Sequence, residues 1–550
     1  MAVTVDRKDR NWYFTSKLHQ KPSSKNKEGS RTIRKGCFKI ESFSLVRLDV
    51  FQSACLPLSS SSPPDNIYVC VMSEIDDRDY YEKVQPLLPK NIYFYTAIAS
   101  FSSFVYGYNM AIIAPALLFL PLRSPLWTSS IVSITLLGAA VGSLLSGPFI
   151  DGFGRRISMI APNIAIILGV GLSSVSVLGE SSTKLRIVLI MSRFILGLAV
   201  GMAAIVPALY ITEMAPAQIR GKMGAINQLS GAIAMVAAFL FGYLAVLWTL
   251  PSRAASLMFA SGLLPAMLQC LLATVILPET PRWLVEHNQK QKAITVLTKI
   301  YGPKNETSIM QQYQMLANRR NQGADRTSCC SWGELLQGTN RRPVLISLAL
   351  QILQHMSFYS VLFYYGTSIL LAHNQENERT ALLYNAVSAI PQLLIMVGTI
   401  FFLDRWGRKP ALLISTAGVA ISLVVIGISF QNGSPDSRWP FWLLVAGIVG
   451  HRAFFSFGLG PVPSILTAEI LPFRIRARGL SAALFLNWSL NLIITIGFPF
   501  LHGYVTKMQY IFWTLALLTF AAIPVTVTFL HETSGNHLDI IEVEPTSKIV

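Results

Sequence analysis

Asp151-Gly152-Phe153-Gly154-Arg155-Arg156 sits between two long apolar stretches, and Asp404-Arg405-Trp406-Gly407-Arg408-Lys409 writes its acid, glycine and basic pair a second time. The offset is 404 − 151 = 253 positions. Glu213 with Arg220 is echoed by Glu469 with Arg476 at an offset of 256, and both pairs are spaced by seven. Pro278-Glu279-Thr280 is echoed more loosely by His531-Glu532-Thr533, again at 253. Self-similarity of this kind sets the architecture of a chain before any local reading does. It predicts two homologous halves, residues 91–279 and 344–532.

Composition says in which medium those halves fold. The 550 residues are 52% apolar and 13% charged, a balance that belongs to membrane proteins. Apolar runs fall near 92–115, 127–150, 157–179, 185–209, 219–247, 255–277, 344–370, 381–403, 410–430, 440–467, 477–501 and 509–530. Each is about the ~20 residues a helix needs to cross hydrocarbon. The expected fold is therefore an all-α membrane protein of twelve transmembrane helices in two six-helix bundles. Residues 280–343, polar and rich in Lys, Arg and Gln, read as a helical linker, and 533–550 as a tail. Residues 1–90 are basic and Ser-rich, with no span-length apolar run and no signal-peptide pattern. They read as a disordered extension.

The net charge of +17 does not point to nucleic acid, because its location decides. Twelve of the 45 Lys and Arg lie in the first 47 residues, and most others lie in alternate loops. That is the pattern of cytoplasmic positive charge, and it places both termini inside. The bilayer and a small molecule are the expected partners. Cys37, Cys55, Cys70, Cys270, Cys329 and Cys330 show no metal-ligand spacing. No nucleophile and base pair, phosphate loop or cofactor motif is present, which argues against an enzyme. Of two glycosylation patterns, Asn305-Glu306-Thr307 falls in the inner linker, whereas Asn432-Gly433-Ser434 falls in an outer loop, leaving Asn432 as the acceptor.

These repeated motifs resemble the sugar porter branch of the major facilitator superfamily, close to the facilitative glucose transporters. The resemblance covers about four fifths of the chain. It implies a cytoplasmic gate built from Asp151, Arg155, Arg156, Arg193, Glu213 and Arg220 with Asp404, Arg408, Glu469 and Arg476. A carboxylate facing guanidiniums at the inner ends of both halves can lock and release, since Arg grips carboxylates bidentately. Gly197 and Gly201, beside Arg193, form a small-xxx-small face for close helix approach.

A sugar site needs amides, which donate and accept at once, and aromatic faces. Asn227-Gln228, Gln351, Gln354, Phe363-Tyr364-Tyr365, Gln392 and Asn487-Trp488-Ser489-Leu490-Asn491 offer them. By resemblance Gln228, Gln354, Asn491, Trp488 and Phe455 match sugar-binding positions of the family. His355 stands where the family has a second glutamine, Phe358 a glycine, Ser360 and Gln392 asparagines, Ser456 an acid and Ser464 a tryptophan. Arg452, one turn from Phe455 and Ser456, adds a cation on the same helix face. It either bonds to carbonyls or receives an anionic substrate. Asn109 stands where proton-coupled relatives carry an aspartate, and an amide does not titrate. The expected activity is downhill transport of a hexose or polyol across the plasma membrane. An organic-anion or sugar-acid carrier, or a non-transporting sugar sensor, are the alternatives.

Overall fold

The computed structural model describes residues 2–8, 11–17, 69–71, 90–120, 125–178, 183–215, 219–302, 306–324, 332–374, 377–431, 439–471, 475–504 and 507–529. Among the described residues, eleven helical segments are long and apolar enough to cross a bilayer. In chain order these are span 1 (Asn91–Phe119), span 2 (Trp127–Phe153), span 3 (Arg155–Leu178), span 4 (Lys184–Met214), span 5 (Lys222–Trp248) and span 6 (Pro251–Val275), then span 7 (Arg341–His373), span 8 (Glu378–Thr399), span 9 (Arg408–Ser429), span 10 (Trp439–Thr467) and span 11 (Arg478–Leu501). A shorter apolar helix, Met508–Pro524, is span 12.

The duplication is visible in the packing. In the first half span 4 packs on spans 2 and 3, span 1 on span 5, and span 3 on span 6. In the second half span 10 packs on spans 8 and 9, span 7 on span 11, and span 9 on span 12. Adding six to each number in the first set gives the second. The halves meet where span 2 packs on span 11 and span 5 on span 8, contacts that the same relation exchanges.

The opening motif marks the same joint twice. One helix ends at Phe153 and the next begins at Arg155, with Gly154 between them at φ 86°. Gly407, at φ 87°, separates Trp406 from Arg408 in the same way. An L side chain at that φ is penalised by its Cβ, so glycine is what lets one span turn into the next within a single residue.

Four spans are interrupted at matching places. Span 4 breaks between helices Thr183–Ala203 and Val206–Met214, and span 10 between Trp439–Phe457 and Val462–Ile470. Span 1 breaks after Ala111, and span 7 between His355 and Tyr359. Broken backbone at membrane depth is tolerated where it is buried in protein or lines a cavity. Phe358, in the span 7 break, has φ 51°. A bulky residue in left-handed backbone costs about 1–2 kcal/mol.

The linker forms helices Pro281–Glu286, Lys290–Tyr301 and Glu306–Ala324. Leu284, Val285, Ala293, Val296 and Ile300 share an apolar cluster with Ile205, Tyr210 and Ile219 of the first half. Asn91 Nδ2 donates to Lys299 O at 2.8 Å, tying the linker to the start of span 1.

The described residues before Leu88 belong to a unit of their own. Strands Ala2–Lys8, Asn11–Lys17 and Val69–Val71 make an antiparallel sheet with the first strand central. Alternation of Val3 and Val5, and of Trp12 and Phe14, supplies β-prone residues at period two. Asn432 and the tail 533–550 lie outside the described residues.

Candidate functional site

Spans 1, 5, 7, 8, 10 and 11 enclose a cavity of about 290 Å³. This is close to the lower end of the ~300–1,000 Å³ usual for small-molecule pockets. Gln228, Gln354, His355, Ser360, Gln392, Phe455, Ser456, Trp488 and Asn491 all line it. Helix breaks bring them there: Gln354 and His355 end the first helix of span 7, and Gly460 lies in the span 10 break.

The amides are held by one another. Asn487 Nδ2 donates to Gln351 Oε1 at 2.8 Å and to Gln354 Oε1 at 2.9 Å. Gln354 Nε2 donates to Gly460 O at 3.1 Å. Gln392 Nε2 donates to Tyr359 OH at 2.9 Å, and Tyr359 lies flat on Phe455 with ring centroids 4.0 Å apart. Across the cavity, Gln228 Nε2 donates to Ser464 Oγ at 3.1 Å, joining span 5 of one half to span 10 of the other. The Ser464 hydroxyl is what makes that bridge. His355 Nδ1 lies 3.0 Å from Gln351 O, and since a carbonyl only accepts, Nδ1 is the donor. Trp488 Nε1 is buried without a partner among the described residues.

Tyr359 is the contact that sequence reading passed over. Its isolation between altered positions hid it.

Arg452 does not line the cavity. It is fully buried and turns sideways into spans 7 and 8. Its Nη1 donates to Asn385 O at 3.0 Å and Ser388 Oγ at 2.5 Å, and its Nη2 to Asn385 Oδ1 at 2.7 Å and Leu362 O at 3.3 Å. The substrate role is corrected in favour of carbonyl bonding: four oxygens already occupy the guanidinium. Arg452→Gln is expected to destabilise the purified protein by about 1–3 kcal/mol, the cost of orphaned buried acceptors. Relative uptake of neutral and acidic sugars should stay unchanged; selective loss of acid uptake would restore the substrate role.

At the charged rim, Arg155 Nη2 meets Glu213 Oε1 at 2.7 Å, and both side chains are about one-twentieth exposed. Thr280 Oγ1 donates to Glu213 Oε2 at 2.7 Å. Glu279, a residue the motif contained but the gate list omitted, accepts the backbone N–H of Arg155 at 2.8 Å and of Arg156 at 3.0 Å. A carboxylate on the first N–H groups of span 3 stabilises that helix end. Arg156 bonds to Thr274 O and Ala273 O, capping the end of span 6. Asp151 is exposed, and its backbone carbonyl accepts from Trp283 Nε1 at 3.2 Å. Arg476 Nε donates to Leu471 O at 3.2 Å, and Arg408 opens span 9 as Arg155 opens span 3. The side chains of Arg220, Asp404 and Glu469 lie outside the described residues.

Arg193 is not at this rim. It lies 213 − 193 = 20 residues before Glu213 in span 4, about 30 Å along the helix axis at 1.5 Å per residue. There it is 2% exposed, with its guanidinium carbon 3.9 Å from the centre of the Phe259 ring.

With this geometry in hand, known proteins offer a comparison. A match to the family described as Sugar (and other) transporter covers residues 95–544. Facilitated glucose transporter member 3 of Ovis aries is 29% identical over 448 residues, 78% of this chain and 87% of its own. The major myo-inositol transporter of Bacillus subtilis is 29% identical over 455 residues, 81% of this chain and 92% of its own. Among solved structures, the inward open xylose transporter of E. coli is 25% identical with a TM-score of 0.68, covering 82% of this chain and 99% of that one.

Proposed function

The chain belongs to the Sugar (and other) transporter family, a family of membrane carriers and not of enzymes, and on that premise we propose that it moves a hexose or related polyol down its gradient. One observation carries this reading. Among its 22 lining residues the cavity has no Lys, Arg, Asp or Glu, yet it has five amides: Gln228, Gln354, Gln392, Asn487 and Asn491. A charged substrate would find no counter-charge there. A polyhydroxylated neutral one finds groups that both donate and accept, the stacked rings of Tyr359 and Phe455 for its apolar face, and the unmet N–H of Trp488 for a hydroxyl.

Transport follows from the same parts. The paired breaks in spans 1, 4, 7 and 10 let the two halves rock about a midplane site. The charged rim holds helix ends together on the side we assign to the cytoplasm, with both termini, because Lys and Arg concentrate in those loops. The plasma membrane is the residence this reading takes. Relatives include both facilitated glucose transporters and a proton:xylose symporter. Asn109 favours the facilitated mode, since its amide offers no proton site in the physiological range. With Arg452 committed elsewhere, the organic-anion alternative loses the residue that motivated it.

The test is uptake of labelled hexoses and polyols into liposomes containing the full chain. Internal concentration should level off at the external one, with or without a pH gradient. Accumulation driven by external acid would overturn facilitated transport. Absence of flux for every neutral sugar and polyol would overturn the substrate class and favour the sensor reading.

A further inference from the structure

The break in span 7 puts one large side chain into the wall of the central cavity and then pins it. Phe358, at φ 51°, is followed by Tyr359, the first residue of helix Tyr359–Asn374. Backbone in that region persists where its surroundings over-determine it, and ligand clamps are among the places where it gathers. Here Ser357 Oγ accepts from the Tyr359 backbone N–H at 3.3 Å, and His451 Nε2 of span 10 donates to Ser357 O at 2.8 Å. The Tyr359 ring lies 4.0 Å from that of Phe455 with an interplanar angle of 6°, and 5.7 Å from that of Phe363. At its far end Gln392 Nε2 donates to the hydroxyl at 2.9 Å, and the hydroxyl stands 3.2 Å from Met235 Sδ of span 5. Spans 5, 8 and 10 thus hold a side chain that span 7 carries.

We propose that Tyr359 sets the size limit on the substrate, admitting a single unsubstituted sugar or polyol ring and refusing one that carries a bulky substituent. Other large side chains of the lining do not set it. Met110, Met235 and Met396 yield to a ligand, because three rotatable bonds let a methionine fit an irregular gap. Tyr359 has no such freedom: swinging it aside breaks the stack on Phe455 and takes from Gln392 the hydroxyl it bonds. The cavity, at about 290 Å³, is already near the minimum for small-molecule sites, so the part of its wall that stays fixed decides what is refused.

This limit rests on the transport reading, and one experiment separates the two. Labelled D-glucose, D-fructose and myo-inositol are offered to liposomes containing the full chain. The mono-O-benzyl ethers of whichever is carried, one for each hydroxyl, are then added as unlabelled competitors. Against the wild type every ether should inhibit uptake far more weakly than the unmodified compound. In Tyr359→Leu at least one ether should inhibit about tenfold better than it does in the wild type, the scale on which an overpacked contact is relieved. Tyr359→Met, whose side chain yields, should show the same gain and serves where Tyr359→Leu does not fold. Tyr359→Phe keeps the ring and should keep refusing the ethers. A variant that is merely less stable does not gain affinity for a bulkier ligand, so the gain reads the wall itself. Ethers that inhibit the wild type as well as the parent compound overturn the size limit and leave transport standing, as does an unchanged response in the folded Leu or Met variant. An equal gain in Tyr359→Phe would assign the refusal to the hydroxyl and its bond from Gln392, and overturn the ring as the limit. Uptake of none of the three labelled compounds overturns the transport reading and the size limit together.

Discussion

Gly201→Val is expected to remove the folded protein almost entirely, lowering the monodisperse peak of detergent-extracted chain by about tenfold or more. A Cβ at Gly201 would overlap the carbonyl oxygen of Ala139 in span 2, and one at Gly197 that of Thr135. The seam is reciprocal, since a Cβ at Gly142 of span 2 would overlap the carbonyl oxygen of Leu198 in span 4. A side-chain clash can be relieved by a rotamer change. Here the obstructing atoms are backbone, so the helices must separate along their length. In a membrane that is expensive, because helix association rests on close van der Waals packing and not on expulsion of water. Overpacking of a core costs about 1–3 kcal/mol per site when side chains can yield, and this seam has none to yield. Gly224→Ala in span 5, where a Cβ meets nothing within 4 Å, is the control and should leave the peak unchanged. A normal peak for Gly201→Val would refute the packing of span 4 on span 2.

That seam was legible in the sequence because small residues four apart in an apolar run have few other uses. So was the duplication: a left-handed glycine between two spans has to be glycine in both copies, and Gly154 and Gly407 carry the same φ within a degree. Cavity amides were legible for a related reason, as a polar side chain stands out against hydrocarbon. Directions within the membrane were much less so. Every face of such a helix is apolar, so the periodicity that orients a soluble helix is nearly silent. Arg452 illustrates this: it shares a face with Phe455, yet its long side chain swings past the cavity to Asn385, 67 residues away in sequence. Arg193 was drawn to the rim by family likeness, when its distance along span 4 from Glu213 already argued otherwise. Pairings such as Asn487 with Gln354 depend on how two spans rotate against each other, which no local pattern encodes.

Glu213→Ala should be the most damaging single change at the charged rim. Glu213 Oε1 accepts from both Nε (3.2 Å) and Nη2 (2.7 Å) of Arg155, and its Oε2 accepts from Thr280. Removing the carboxylate strands a guanidinium that is almost wholly buried and whose Nη1 already lacks a partner among the described residues. Breaking one side of such a pair costs about 3–5 kcal/mol, whereas replacing both partners by apolar groups of similar size is often neutral. The double variant Arg155→Leu with Glu213→Leu should therefore be more stable than Glu213→Ala alone, with a coupling of about 2 kcal/mol or more in a thermal-unfolding cycle. All three partners belong to the first half or the segment just after it, so this tie binds the ends of spans 3, 4 and 6 into one piece. Its loss should lower stability and slow uptake together while leaving substrate affinity near the wild-type value. If the single variant unfolds at the wild-type temperature, the ion pair contributes nothing and the rim's rigidity must be sought in the Glu279 contacts to span 3. If stability holds but transport becomes one-sided, the carboxylate acts between the halves and the tie described here is not its working state.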